Sequence, residues 1–194
     1  MLPQWKKNII LDIKGKMESG KKISFIHTPK CAGTYAGKFM ELCQINNKFH
    51  QRANENDDIT FTIIRDPVER FESFLNYRLG KGKSAGFPRK LKYCFTDQSV
   101  TLNEIINKLT QEDIISFDPY KTLVYWSHKV DLLITIDELE ETLKLLGYDI
   151  DGHQFPKLNV SKKERGTINE ENKEKLRNFY AEDIKLYNFW TRKD

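Results

Sequence analysis

The chain is 194 residues long, 39% apolar and 31% charged with a net charge of +4, values that predict one globular domain with its own core and exclude a disordered chain. No apolar run nears the roughly 20 residues of a membrane-spanning helix, and the mild positive excess accommodates an anionic ligand without demanding nucleic acid. Three cysteines, Cys31, Cys43 and Cys94, in no paired or ligand spacing argue against a disulfide framework or structural zinc, and Met1-Leu2-Pro3-Gln4-Trp5-Lys6-Lys7 lacks the apolar segment of an export signal, so a cytoplasmic protein is expected.

Trp5, Ile9, Ile10, Ile13 and Met17 recur at helical spacing and predict an amphipathic first helix that Gly20 ends. Ile23-Ser24-Phe25-Ile26-His27 suits a buried strand, and after a short loop Ala36, Phe39, Met40 and Cys43 mark a second helix. Ile59 to Ile64 is rich in β-branched residues and predicts a second strand stopping at Arg65. Asp66 followed by Pro67 reads as an N-cap and first helical residue, with Val68, Phe71, Phe74, Leu75 and Arg78 on one face and Asp66, Arg70, Ser73 and Tyr77 facing away from it.

From Arg78 to Phe95 six basic residues stand among glycines with no acidic one, a basic, pliable loop suited either to solubility or to gathering an anionic acceptor. Leu102 to Leu109 and Tyr120 to Ser127 read as helices, Val130 to Ile136 as a third strand, and Glu138 to Leu146 as a helix closed by Gly147. Thr167-Ile168-Asn169-Glu170 predicts a capping box opening a last helix whose buried stripe is Leu176, Phe179, Tyr180, Ile184 and Tyr187. Alternating strands and helices imply an α/β fold, a single-domain, P-loop-like parallel sheet flanked by helices.

Ligands of such sheets bind beyond the carboxyl ends of the strands, and two junctions there carry chemistry. Pro29-Lys30-Cys31-Ala32-Gly33-Thr34 offers small residues, a helix N-terminus, a hydroxyl and a lysine, the equipment of a phosphate site. It is not a Walker A loop, because the lysine precedes the glycine and no Gly-Lys-Ser/Thr triplet occurs in the chain. At the second junction Arg65 and, eight residues later, Ser73 could share one phosphate through a guanidinium fork and a hydroxyl. Read singly, the first is also a tight turn and the second a capped helix with a surface ion pair.

Taken together, the segment from Phe25 to Thr34 resembles the 5′-phosphosulfate loop of sulfotransferases that use 3′-phosphoadenosine 5′-phosphosulfate (PAPS), and the segment from Ile63 to Phe74 resembles their 3′-phosphate block. Leu158-Asn159-Val160-Ser161-Lys162-Lys163 and the helix through Asp183 to Tyr187 are similar to the tail of the carbohydrate-type branch. The resemblance implies a sulfotransferase fold and sulfuryl transfer from PAPS to a hydroxyl of a carbohydrate or small molecule, with no metal and neither a nucleic-acid nor a membrane partner. It implies that Lys30 meets charge on the leaving oxygen, that Cys31, Ala32, Gly33, Thr34 and Tyr35 line the 5′-phosphate, and that Arg65 and Ser73 hold the 3′-phosphate. The same residues also allow a P-loop-type nucleotide-phosphate-transferring enzyme or a non-catalytic polyanion-binding module.

The acceptor hydroxyl needs a base. His50 stands where related carbohydrate sulfotransferases place a histidine and is the expected one, with Glu55 as its alternative. His27 falls inside a strand and reads as a core residue or as one that supports the site from behind, while His128 precedes the third strand and His153 lies in a glycine-flanked turn with nothing nearby to orient it. Cys31 reads either as a small side chain filling a tight loop or as a thiol made reactive by the helix N-terminus, and Tyr120, Tyr125 and Trp126 as core aromatics or a stacking surface.

Overall fold

A computed structural model describes residues 1–80, 89–115, 122–153 and 165–192. Four parallel strands lie in the order β2-β1-β3-β4: β1 Ile23–His27, β2 Asn46–Phe49, β3 Ile59–Ile63 and β4 Leu132–Ile134. Phe25 of β1 sits level with Asn47 on one side and Phe61 on the other. Every residue of β1 and β3 is buried, as expected of the central strands of a parallel sheet covered by helices.

Two strands differ from expectation. β4 occupies only the middle of the run from Val130 to Ile136, because each flank is engaged otherwise. On one side the Asp131 carboxylate accepts from the Thr60 N–H at 2.8 Å. On the other, Thr135 opens a capping box with Glu138 around a 3₁₀ turn, Ile136–Glu138. The edge strand β2 has no counterpart in the hydrophobic pattern, since Asn46-Asn47-Lys48-Phe49 is polar and largely exposed, a composition usual for a sheet edge facing water.

The helices α1 Gln4–Glu18, α2 Gly33–Leu42, α3 Pro67–Gly80, α4 Leu102–Lys108, α5 Gln111–Ile115, α6 Leu123–Ser127, α7 Leu139–Leu146, α8 Glu170–Phe179 and α9 Ala181–Thr191 complete the described elements, with a 3₁₀ segment at Arg89–Phe95. One core joins the sheet to Ile10 and Ile13 of α1, Phe39 and Met40 of α2, and Leu139 and Leu143 of α7. A second joins Phe71, Phe74 and Leu75 of α3 to Leu102 and Ile106 of α4 and Leu176 of α8. Lys6 is fully buried in α1, its ammonium 2.8 Å from the Glu138 carboxylate, which supplies the partner a buried charge requires.

Asp66 caps α3 as predicted, its Oδ1 accepting from the N–H groups of Val68 and Glu69 at 2.9 and 3.0 Å. The outward stripe assigned to α3 is corrected at Arg70, which is buried. The C-terminal helix is also corrected: Asn169 and not Thr167 is its N-cap, accepting from the Asn172 N–H, and the chain breaks at Tyr180 into α8 and α9. The break lets buried Asp183 accept from the N–H groups of Leu123 and Val124 at 2.6 and 3.0 Å, satisfying the open end of α6. Among the described residues no helix is long and apolar enough to cross a membrane. The expectations for the heart of the basic loop at 81–88, for Tyr120 and for 158–163 fall outside the described residues.

Candidate anion-binding site

The loop after β1 is held from below. Thr62 of β3 donates its hydroxyl to the Ile26 carbonyl at 2.7 Å and lies 2.8 Å from the Thr28 hydroxyl, so the start of the loop is fixed to its neighbouring strand. Arg70 donates Nε to the Pro29 carbonyl at 2.9 Å, pinning the next residue to α3. On this base Lys30 and Ala32 both take left-handed backbone conformations, φ +64 and +60, at a cost of roughly 1–2 kcal/mol each for a residue with a Cβ. Strain of this kind persists where surrounding structure imposes it, and it concentrates at functional sites.

The consequence is an open helix end. Ala32, the N-cap of α2, has no side chain able to accept a hydrogen bond and provides no cap, so the first N–H groups of α2, at Gly33 and Thr34, have no acceptor within their own helix. The Thr34 hydroxyl stands at the same end on an exposed residue. Cys31 turns inward and is fully buried, and burial pushes its thiol pKa up despite the nearby guanidinium of Arg70; it packs the loop as a small neutral side chain. The Tyr35 ring packs on Phe39 at 5.4 Å while its hydroxyl faces Glu140 of α7.

Lys30 lies 4.1 Å over the Tyr77 ring. Burial, and then the positive charge of Arg65, push its pKa down to about 8. Two cations thus approach one another at the mouth of an uncapped helix. Arg65, just beyond β3, is half exposed and its Nε donates to Glu69 at 3.2 Å; Ser73 is half-buried on α3. A cleft of about 280 Å³ opens between these elements, lined by Cys31 and Ala32 of the loop and, among others, by Arg65 together with the carboxylate residues Asp66, Glu69 and Asp137. It lies beyond the carboxyl ends of β3 and β4, with the loop after β1 forming one wall, on the side of the sheet where ligands of open parallel sheets bind.

His50 follows β2 in a left-handed conformation, φ +52, with its ring stacked on Phe49 at 4.1 Å and 5.3 Å from the His27 ring. Burial lowers its pKa below the ordinary histidine value. Because β2 and β3 flank β1, His50 and Arg65 stand on opposite sides of the loop. Glu55 instead pairs with Lys129 at 2.8 Å on the surface, and His128 and His153 are exposed. Trp126 is buried, 6.4 Å from the His50 ring, and Tyr125 carries the Arg52 guanidinium 4.4 Å over its face.

His27 is buried at the end of β1, and burial, with a smaller contribution from His50, pushes its pKa down to about 4. Unfolded, it takes up a proton near the ordinary value of 6.5; folded, it does so only near 4. The stability this contributes is therefore complete above pH 6.5 and lost as pH falls toward 4. Urea midpoints measured across that window should drop on acidification, and the drop should shrink in His27→Ala.

Sequence reasoning missed Arg70 as the residue that ties the loop to α3, since an arginine four residues from its capping aspartate reads as surface and is seldom buried. Nor did any pattern mark the contact between His27 and Gly33 beneath the loop. Comparison of the chain with protein-family models, with curated proteins and with solved structures returned no match.

Proposed function

We propose that this protein is a PAPS-dependent sulfotransferase with a single-domain sulfotransferase fold, transferring a sulfuryl group to a hydroxyl of a carbohydrate or small molecule. The observation that carries the reading is the arrangement around one loop: a strained, uncapped helix end with Lys30, Arg65 and the cleft on its β3 side, and His50 on its β2 side. In-line displacement at sulfur requires the attacking oxygen and the leaving phosphate on opposite sides of the transferring group. The separation of His50 on one side of the loop from Lys30 on the other supports such a geometry.

The N–H groups of Gly33 and Thr34 and the Thr34 hydroxyl hold the 5′-phosphate, which suits the partial positive charge of a helix N-terminus. Lys30 meets the negative charge that grows on the bridging oxygen as the sulfur–oxygen bond to phosphate breaks. Arg65, released from Glu69, and Ser73 hold the 3′-phosphate. His50 takes the proton of the acceptor hydroxyl as its oxygen bonds to sulfur. The burial-depressed pKa of His50 keeps it neutral, and so able to accept, at neutral pH.

Incubation with PAPS and a panel of neutral and anionic sugars and small hydroxyl compounds tests the reading directly, with mass spectrometry of the products. A sulfated acceptor formed together with 3′-phosphoadenosine 5′-phosphate is expected; PAPS left intact across the panel would count against it. The two phosphate subsites are separable. Arg65→Ala should weaken binding of 3′-phosphoadenosine 5′-phosphate about ten- to a hundredfold, matching the roughly 1.5–3 kcal/mol of hydrogen bonds to charged groups. Ser73→Ala should cost less. Both should leave adenosine 5′-phosphosulfate, which lacks the 3′-phosphate, almost untouched, and calorimetric titration of the two nucleotides reads the contrast.

A further inference from the structure

His27 is buried between the two halves of the site, although the chemistry above gives it no task. Its imidazole lies directly beneath the first residue of α2: a Cβ placed on Gly33 would come 1.9 Å from His27 Nε2, 2.2 Å from Cδ2 and 2.5 Å from Cε1. Glycine is thus required at position 33 because this ring occupies the space, and not for backbone reasons. The same ring meets Phe49 edge-on at 4.5 Å and His50 edge-on at 5.3 Å, and Phe49 and His50 stack on one another.

Packing alone does not account for a histidine here. The residue is 6% exposed and its Nδ1 is buried without a hydrogen-bond partner among the described residues, a cost that an apolar side chain would avoid. His27 therefore forms a chain of contacts from Gly33, at the start of α2, to the ring of the base, just after β2.

We propose that His27 is a positioning residue: it is the spacer that sets His50 against the anion-binding loop, so that an anion seated on the loop changes the position of His50 through it. The proposal rests on the functional reading for the role of His50, but the contact chain is open to test without turnover. Remaining neutral when buried, His27 also adds no charge beside His50 when the latter takes up a proton.

The test is nuclear magnetic resonance of the protein with carbon-labelled histidine rings, the His50 signal identified by its loss in His50→Gln. Addition of 3′-phosphoadenosine 5′-phosphate should shift that signal and its pH titration in the wild type. The shift should be lost in His27→Ala, although calorimetry still detects nucleotide binding. A residue that only fills space would lower Tm in the His27→Ala variant but leave the shift in place, and that result overturns the proposal.

If the nucleotide binds neither form, the sulfotransferase reading falls, and the spacer is judged from Gly33→Ala alone. That substitution should displace the His50 signal when His27 is present and not when position 27 is alanine; equal displacement in both backgrounds overturns it. Should Gly33→Ala fail to fold beside His27, Ala32→Gly, which relaxes the neighbouring left-handed residue, takes its place with the same two outcomes.

Discussion

Exchange of His50 for alanine is expected to slow sulfuryl transfer roughly 10²–10⁴-fold, the usual contribution of a positioned general base, while binding of 3′-phosphoadenosine 5′-phosphate stays at the wild-type level. The separation follows from the sheet: His50 closes β2, whereas Arg65 and the cleft lie on the β3 side of the loop. A base must be neutral to accept a proton, so the rate should rise with pH along an acidic limb. Burial lowers the pKa of His50 from 6.5, which places that limb in kcat/KM below 6.5 and not above it. His50→Gln keeps a hydrogen-bonding side chain but cannot take the proton, and it should match alanine. Near-normal turnover in both variants with the limb intact would remove His50 from the reaction.

Lys30→Ala should lower the transfer rate roughly 10²–10³-fold, as loss of one donor to charge developing in the transition state does elsewhere, with a smaller effect on binding of the desulfated nucleotide. Lys30 must carry its proton to act, and burial together with Arg65 brings its pKa down to about 8. Accordingly kcat/KM should fall as pH rises through about 8. Lys30→Arg keeps its charge throughout this range and should abolish that limb, at some loss of rate because the fork geometry differs. The depressed pKa also means that the folded state resists the charged form below about 8, a penalty that fades toward the free-lysine value of 10.5. Lys30→Met should therefore raise Tm in the absence of ligand at neutral pH, even as it removes activity.

The parts of the molecule legible from sequence are those in which one physical factor decides the structure. β1 and β3 are buried on both faces, so continuous apolar runs mark them. The start of α3 is written in Asp66-Pro67 and the end of α7 in Gly147, whose φ of +98 a side chain would resist. Pairing, by contrast, decides β2: Asn46 to Phe49 form a strand because they follow α2 back along the open edge of β1, and nothing in their own pattern says so. That matters most for the site. The residue types of the loop, Arg65 and Ser73 could be read from the chain, but only the parallel pairing of β2 with β1 brings His50 to within ring contact of His27.

Arg70 and Asp183 were illegible for a related reason. Each is a charged residue that tertiary contacts draw inward, Arg70 to the Pro29 carbonyl and Asp183 to the start of α6. A helical period predicts which face a residue occupies, but not that a neighbouring loop or helix end will offer it a polar partner. The division of the last helix at Tyr180 belongs to the same class, since the capping and apolar pattern run on through it.

The central claim is that two phosphate subsites flank one another at the carboxyl ends of β1 and β3, and calorimetric titration of the wild-type protein addresses it most directly. The nucleotides are 3′-phosphoadenosine 5′-phosphate, adenosine 5′-phosphate and ATP with magnesium. The account predicts that 3′-phosphoadenosine 5′-phosphate binds tightest, that removal of its 3′-phosphate weakens binding at least as much as Arg65→Ala does, and that magnesium is not needed. Binding of ATP with magnesium in preference to the 3′-phosphorylated nucleotide would contradict it.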